Sequence, residues 1–217
     1  VYACQLQAAG LGMATAIWNE SGDPVDGEKG ELVCTQSFPS CPVGFWRDTD
    51  GSKFHAAYFD RWPGVWAHGD YGEKTAAGGF VIHGRSDAVL NPGGVRIGTA
   101  EIYRQVERVP EVLDSVVVGQ NWQDDVRVVL FVVLRDGVAL DESLTARIRS
   151  EIRTNTTPRH VPAKVIQVTD IPRTISGKIA ELAVRKVIHG EQVGNQDALA
   201  NPGALSLYVA LPELSVD

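Results

Sequence analysis

The chain has 217 residues, of which 44% are hydrophobic and 22% charged, a composition ordinary for a globular protein of one or two domains with a buried core. Its formal net charge of −7 argues against a nucleic-acid partner or an anionic membrane surface, because both need a positive field, and no apolar run reaches a membrane span of roughly 18 residues. The three cysteines show neither a paired disulfide spacing nor a metal-ligand spacing with histidine, so we expect reduced thiols, no metal site and a cytoplasmic protein.

The first part of the chain, residues 1–86, is predicted to be rich in β-structure. Short apolar runs separated by turn signals such as Ser21-Gly22-Asp23-Pro24 are typical of strands. Four strands and one helix are expected, with strands at 11–18, 31–35, 65–71 and 79–83 and the helix at 50–60. We expect the last two strands to form a hairpin and this part to be a distorted, barrel-like subdomain.

From about residue 87 the pattern changes to alternating helices and strands. Thr99 and Asp141 are predicted N-caps, each followed by apolar residues at helical spacing. Further segments are expected as β-branched strands at 112–118, 126–134 and 164–168, and as a helix that includes Ile179 and Val187. The prediction is an α+β or α/β protein, with a three-stranded sheet flanked by helices in residues 87–217.

Asp70 is the first candidate site residue. It follows Gly69 at the end of an apolar strand, so its carboxylate is expected at an exposed rim. A carboxylate there can accept two hydrogen bonds from a ribose diol. The ordinary alternative is a turn aspartate that caps its own backbone.

A glycine-rich stretch over residues 84–101 is the second candidate. Its four glycines indicate positive φ angles or a close ligand approach, and it leads into a helix N-terminus, which favours anions. It matches neither a Walker A loop nor G-x-G-x-x-G. Arg85 and Arg96 bracket the stretch and favour a phosphate-bearing ligand, although a glycine-rich turn alone is weak evidence.

Lys178 is the third candidate, at the end of Pro172-Arg173-Thr174-Ile175-Ser176-Gly177-Lys178. We expect it in the first turn of a helix, where a cation opposes the helix dipole at a cost of up to about 1 kcal/mol. Ser176-Gly177 is expected to make its approach flexible. An ammonium on such a loop can neutralise charge that develops on a phosphoryl oxygen, and the alternative is a solvated surface lysine.

In this order and spacing, the three segments resemble the adenylate-forming superfamily of acyl-CoA synthetases, luciferases and peptide-synthetase adenylation domains. Residues 68–70 are similar to its ribose-binding motif, 84–87 to its hinge motif and 174–178 to its catalytic-lysine motif. Other segments are similar to the acetoacetate–CoA ligase branch of this family, namely 44–48, 57–60, 63–66, 83–88, 97–103 and 158–162. The resemblance covers essentially the whole chain.

The resemblance implies a two-step reaction of an ATP-dependent acid–CoA ligase. A carboxylate, acetoacetate in that branch, attacks the α-phosphorus of Mg-ATP to give an acyl-adenylate and pyrophosphate. The thiol of coenzyme A then displaces AMP. The resemblance also implies that Asp70 binds the ribose, Arg85 contacts ribose or phosphate, and Lys178 stabilises the adenylation transition state.

For the second step, the resemblance implies a mobile carboxyl-terminal domain that swings about a hinge at Asp87. Gly94 would let the pantetheine arm of coenzyme A pass close to the backbone. Arg96 and Arg149 would hold phosphates. Ala67 departs from the family, in which arginine often precedes the ribose motif, and Arg173 replaces the more usual lysine or histidine, a change that we expect to be minor.

The chain lacks the family's phosphate loop, acyl pocket and Mg²⁺ ligands, and it begins without methionine. We therefore expect a carboxyl-terminal fragment, inactive alone, whose missing partner is the amino-terminal part of the same polypeptide. Residues 1–86 should then expose apolar surface. Two alternatives stay open: a synthetase for acetate or propionate, and a non-catalytic module that binds nucleotide, coenzyme A or a protein.

Overall fold

The computed structural model describes residues 1–216. It divides into two compact units, Val1–Asp87 and Ala88–Asp217, called here the first and second units. Both units combine a sheet with helices, as the predicted mixed α and β class requires. Within the described residues, no helix is both long and apolar enough to cross a bilayer.

The first unit contains a four-stranded antiparallel sheet with the order β1-β2-β3-β4. The strands are β1 Thr15–Trp18, β2 Lys29–Cys34, β3 Trp66–Lys74 and β4 Phe80–Arg85, and helix α1, Ser52–Tyr58, lies between β2 and β3 in the chain. The sheet is open, with β1 and β4 as its outer strands. The barrel-like expectation is therefore wrong, because the two outer strands pair with β2 and β3 rather than with each other.

An aromatic cluster holds α1 beside the start of β3. Tyr58 stacks on Trp66 with ring centroids 3.6 Å apart, while Phe54 and Phe59 meet the same indole edge-on. Such pairs contribute about 0.5–1.5 kcal/mol beyond area burial. The three side chains face Trp66 as predicted, but each is only partly buried, and Phe59 is the C-cap of α1 rather than part of the helix. Trp46 is 89% exposed, in keeping with the apolar surface expected for this part of the chain.

The second unit contains a three-stranded sheet with the order β5-β6-β7, in which β5 and β6 are antiparallel and β6 and β7 parallel. Its elements are α2 Thr99–Val106, β5 Val112–Trp122, β6 Asp125–Leu134, α3 Glu142–Asn155, β7 Lys164–Gln167 and α4 Glu181–Ile188. Alternate residues of β6 enter two different cores, which explains its continuous apolar run. Leu130 packs with α2 and α3, whereas Phe131 packs with α4 and the segment that follows it.

The predicted helix starts differ in outcome. Asp141 is the N-cap of α3, and its Oδ1 accepts a hydrogen bond of 2.7 Å from the amide of Leu144. Thr99 is not a cap, because it is already the first helical residue and Gly98 occupies the cap position. The Gly98 amide donates to Glu101 Oε1 over 3.0 Å, so a side chain from inside the helix reaches back to satisfy it.

Residues after α4 fold back onto the sheet in short 3₁₀ turns, a feature that the sequence did not predict. Tyr208 is completely buried there and donates a hydrogen bond of 2.9 Å to the Asp170 carbonyl. Further along, Arg127 at the start of β6 donates to the carbonyls of Leu214 and Val216, each over 2.8 Å. Residues 214–216 are therefore hydrogen-bonded to the β5–β6 hairpin.

Candidate active site

Asp70 and Arg85 face each other in the β3–β4 pairing of the first unit. Arg85 Nη1 lies 3.5 Å from Asp70 Oδ1, and His68 Nδ1 lies 2.5 Å from Asp70 Oδ2. The Asp70 side chain is 21% exposed, so a hydroxyl can still reach it from solvent. The expected rim carboxylate is thus present, held between Arg85 on one side and His68 on the other.

Arg85 also contacts Asp87, the last residue of the first unit. Its Nε lies 3.6 Å from Asp87 Oδ1, and its Nη1 donates to the His68 carbonyl over 3.4 Å. The structure therefore brings Asp70, Arg85 and Asp87 into one cluster of charges. A guanidinium shared in this way can also bind an anionic ligand, because it carries five donors.

The turn before Asp70 depends on a buried carboxylate that sequence reasoning missed. Glu31 is only 3% exposed, and its Oε1 accepts a hydrogen bond of 2.9 Å from the Gly69 amide. Its Oε2 accepts from Arg61 over 3.1 Å. Gly69 has φ 82°, a left-handed conformation that favours glycine, and a Cβ there would lie 2.6 Å from Arg85 Nη2 and displace that guanidinium. The available signal was an acidic residue directly before the apolar run Leu32-Val33-Cys34 of β2.

The charge of His68 is tied to this cluster. Its hydrogen bond to Asp70 raises the pKa of His68, while partial burial opposes the increase. Near neutral pH a larger fraction of His68 is therefore protonated than in an isolated histidine.

In the second unit, Gly94 lies in the 3₁₀ turn Pro92–Gly94, called here the glycine turn. Gly93 and Gly94 have φ angles of 58° and 76°. A Cβ on Gly94 would meet no atom within 4 Å, so its Cα is open to an approaching ligand. A Cβ on Gly93 would lie 2.2 Å from Arg159 Nη1. The two glycines therefore have different roles. Gly93 allows the Arg159 side chain to pack against the backbone, and Gly94 leaves the surface open.

Arg159 and Asp125 hold the glycine turn, a role that the sequence did not predict for either residue. Arg159 Nη1 donates to the carbonyls of Pro92 and Gly93, each over 3.1 Å. Both oxygens of Asp125 accept from the Gly93 amide, at 2.9 and 3.0 Å. Backbone hydrogen bonds from the Val126 amide and then from the Gly93 amide lower the pKa of Asp125. The carboxylate is thus charged at neutral pH. Asp125 binds the amide of the glycine turn, and Arg159 binds its carbonyls.

The other two arginines lie in different surroundings. Arg96 is partly buried in the loop closed by the paired residues Leu90 and Ile97. Arg149 donates from its Nε to the Pro162 carbonyl over 3.1 Å and from its Nη2 to the Ala163 carbonyl over 2.7 Å. These bonds attach α3 to the segment that enters β7, which gives Arg149 a structural contact in addition to its predicted role.

Lys178 does not lie in the first turn of a helix, so that expectation is wrong. Helix α4 begins at Glu181, and Lys178 closes a small hairpin whose residues 174–178 are called here the lysine loop. The Thr174 amide donates to the Lys178 carbonyl over 2.8 Å, and the Lys178 amide donates to Thr174 Oγ1 over 3.1 Å. Gly177 supplies the left-handed residue, with φ 83°. The Lys178 side chain is exposed.

Arg173 links the lysine loop to strand β5. Its Nη1 donates to the Gly177 carbonyl over 2.8 Å, and its Nη2 lies 2.5 Å from Asp114 Oδ2 on β5. The predicted flexible approach is therefore a closed turn tied to the sheet. Arg173, whose replacement of the more usual lysine or histidine was expected to be minor, supplies this link.

Among the residues that the structure describes, no group of three or more His, Cys, Asp or Glu side chains is placed to hold a metal ion. Asp70, Arg85 and Asp87 belong to the first unit, and Gly94, Arg96, Arg149 and Lys178 to the second.

Residues 101–178 match the family described as AMP-binding enzyme C-terminal domain. These residues include the lysine loop, so the match supports the resemblance drawn from the motifs of the second unit.

The chain is also similar to acetoacetyl-CoA synthetases. It is 63% identical over 214 residues to Acetoacetyl-coenzyme A synthetase of Rhizobium meliloti (strain 1021), covering 99% of this chain and 33% of the relative. With Acetoacetyl-CoA synthetase of Xenopus tropicalis the identity is 50% over 216 residues, covering 99% and 32%. The solved Acetoacetyl-CoA Synthetase from Streptomyces lividans matches with a TM-score of 0.90 and 45% identity, over 96% of this chain and 32% of that one. The chain thus spans about a third of the length of these relatives.

Proposed function

We propose that this chain is the carboxyl-terminal part of an acetoacetate–CoA ligase, which converts acetoacetate, ATP and coenzyme A to acetoacetyl-CoA, AMP and pyrophosphate. The observation that carries this proposal is similarity to acetoacetyl-CoA synthetases over 99% of the chain, at 63% identity with one of them. The amino-terminal part of the same polypeptide would supply the phosphate loop and the acyl pocket. We place the enzyme in the cytoplasm, without a nucleic-acid or membrane partner.

In the adenylation step, Asp70 would accept hydrogen bonds from the ribose hydroxyls of ATP, with Arg85 beside it against ribose or phosphate. The 3.5 Å contact between Arg85 and Asp70 supports a shared role. Lys178 would place its ammonium against the oxygens of the α-phosphate as the acetoacetate carboxylate displaces pyrophosphate. A fixed cation at developing charge is an effective way to stabilise such a transition state.

In the thioester step, the thiol of coenzyme A attacks the acyl carbon and AMP leaves. The open Cα of Gly94 would let the pantetheine arm pass against the backbone. Arg96 and Arg149 would contact phosphates, and Asp87 would be the hinge between the two half-reactions. Mg²⁺ would enter bound to ATP, and its protein ligands would lie outside the described residues, which do not fit a metal site.

Acyl-dependent exchange of pyrophosphate into ATP tests the proposal. The full-length protein should catalyse exchange with acetoacetate, and much less with acetate or propionate at equal concentration. The 217-residue chain alone should catalyse none. A full-length protein that prefers acetate or propionate would refute the acetoacetate assignment, and one with no exchange for any of these acids would refute ligase activity.

A further inference from the structure

The lysine loop is paired with a segment far along the chain. Residues 198–201, called here the tail segment, run beside its first arm, where Thr174 and Leu199 form an antiparallel bridge. The Ile175 amide donates to the Ala198 carbonyl over 2.9 Å, and the Ala200 amide donates to the Arg173 carbonyl over 2.8 Å. The first arm of the lysine loop thus forms a short two-stranded ribbon with the tail segment.

Asn201 ends this ribbon and uses both ends of its side-chain amide. Its Oδ1 accepts a hydrogen bond of 2.7 Å from the Arg173 amide. Its Nδ2 donates to the Ile171 carbonyl over 2.9 Å and to Asp170 Oδ2 over 2.8 Å. Only a carboxamide offers an acceptor and two donors at this length. One side chain therefore fixes both the base of the lysine loop and the residues that lead into it.

The support for Asn201 is itself rigid. Tyr208, seven residues further on, is fully buried, and its ring meets Phe131 edge-on with centroids 4.8 Å apart. Its hydroxyl donates to the Asp170 carbonyl, next to the carboxylate that Asn201 contacts. The tail segment is therefore anchored to the core of the second unit rather than draped over its surface.

We propose that Asn201 is a positioning residue for the adenylation step, acting through Lys178. This rests on the role proposed above for Lys178. A cation stabilises a transition state best when it is already in place, because ordering a loop during the reaction costs conformational entropy. By holding residues 170–173, Asn201 keeps the lysine loop in the closed turn that presents the ammonium.

The two half-reactions separate this role from a merely structural one. In the full-length protein, Asn201→Ala should lower the kcat of acetoacetate-dependent pyrophosphate exchange roughly tenfold, since three hydrogen bonds are lost. Thioester formation from preformed acetoacetyl-adenylate should stay within about twofold, because Lys178 has no part in it. Asn195→Ala, the same substitution at an exposed position before the tail segment, should leave both steps unchanged.

Amide hydrogen exchange gives a readout that does not depend on the reaction. The amides of Ile175, Gly177 and Lys178 should exchange faster in Asn201→Ala than in the unaltered protein, whereas those of β6 should not change. If Asn201→Ala fails to fold, the isosteric Asn201→Asp is the second variant. Its carboxylate keeps the acceptor for the Arg173 amide, but an oxygen replaces the Nδ2 donor and is repelled by the Asp170 carboxylate. It should show the same pattern.

Equal loss of both half-reactions, or no loss of pyrophosphate exchange, would overturn the positioning role. So would unchanged amide exchange in the lysine loop. If instead Lys178→Ala leaves pyrophosphate exchange intact while the Asn201 variant speeds amide exchange, the role of Lys178 fails and the structural clamp remains.

Discussion

At the scale of single residues, Lys178 has the most direct test. Lys178→Ala in the full-length protein should lower pyrophosphate exchange about 100-fold or more, the usual effect of removing one transition-state donor. Thioester formation from preformed adenylate should persist. Lys186→Ala, an exposed lysine on α4, is the matched control and should change neither step. Equal loss of both steps in the Lys178 variant would contradict the assignment.

Gly94 is predicted to matter in the opposite half-reaction. Gly94→Leu should spare pyrophosphate exchange and strongly reduce thioester formation, because its side chain would fill the space open at the Cα. The φ angle of 76° strains any replacement, so Gly94→Ala is the control for strain without bulk. Rapid-quench measurement of acetoacetyl-CoA from preformed adenylate should show a much larger loss for leucine than for alanine. Similar losses would assign the effect to the backbone.

The pair of His68 and Asp70 predicts a pH dependence of stability. Because the folded state raises the pKa of His68 above its ordinary 6.5, the pair stabilises the fold fully below that value. The stabilisation should disappear as the pH rises through the folded-state pKa. The difference in urea midpoint between the unaltered chain and His68→Gln, followed from about pH 5 to about pH 9, should therefore shrink with rising pH. A constant difference would show that the charge of His68 is not involved.

At the scale of elements, the clamp on the glycine turn gives a further prediction. Arg159→Ala should reduce thioester formation several-fold and leave pyrophosphate exchange nearly unchanged, because two hydrogen bonds to the turn are lost, each contributing about 1 kcal/mol. Arg159→Lys keeps the charge without the guanidinium geometry and should recover only part of the rate. Full recovery with lysine would mean that the charge alone matters.

Elements that depend on local patterns could be predicted from the sequence. Asp141 precedes an apolar helical spacing, and β6 is a continuous apolar run, so both were placed correctly. The position of Lys178 before helix α4 could not be predicted. Its hydrogen bond to Thr174 and the contact of Arg173 with Gly177 follow no helical or strand period, so the sequence pattern does not show them. Glu31 was missed for a related reason: its partner, Gly69, lies 38 residues away, and strand alternation carries no information about such contacts.

At the scale of the whole molecule, the 3₁₀ turns after α4 were unpredictable because their apolar residues follow neither a helical nor a strand period. Their contribution can be measured. Tyr208→Ala should destabilise the second unit by about 3–5 kcal/mol, the usual cost of removing a fully buried aromatic ring. Tyr208→Phe removes only the hydrogen bond to Asp170 and should cost about 1 kcal/mol. Urea unfolding of the chain would measure both, and a loss below about 1 kcal/mol for alanine would show that these turns are not part of the core.

The attachment of the last residues to Arg127 has a practical consequence for expression. Removing residues 214–217 would delete the two carbonyl acceptors of Arg127 and the buried side chain of Leu214. A protein shortened in this way should unfold at a lower urea concentration than the 217-residue chain, so expression designs should keep these residues.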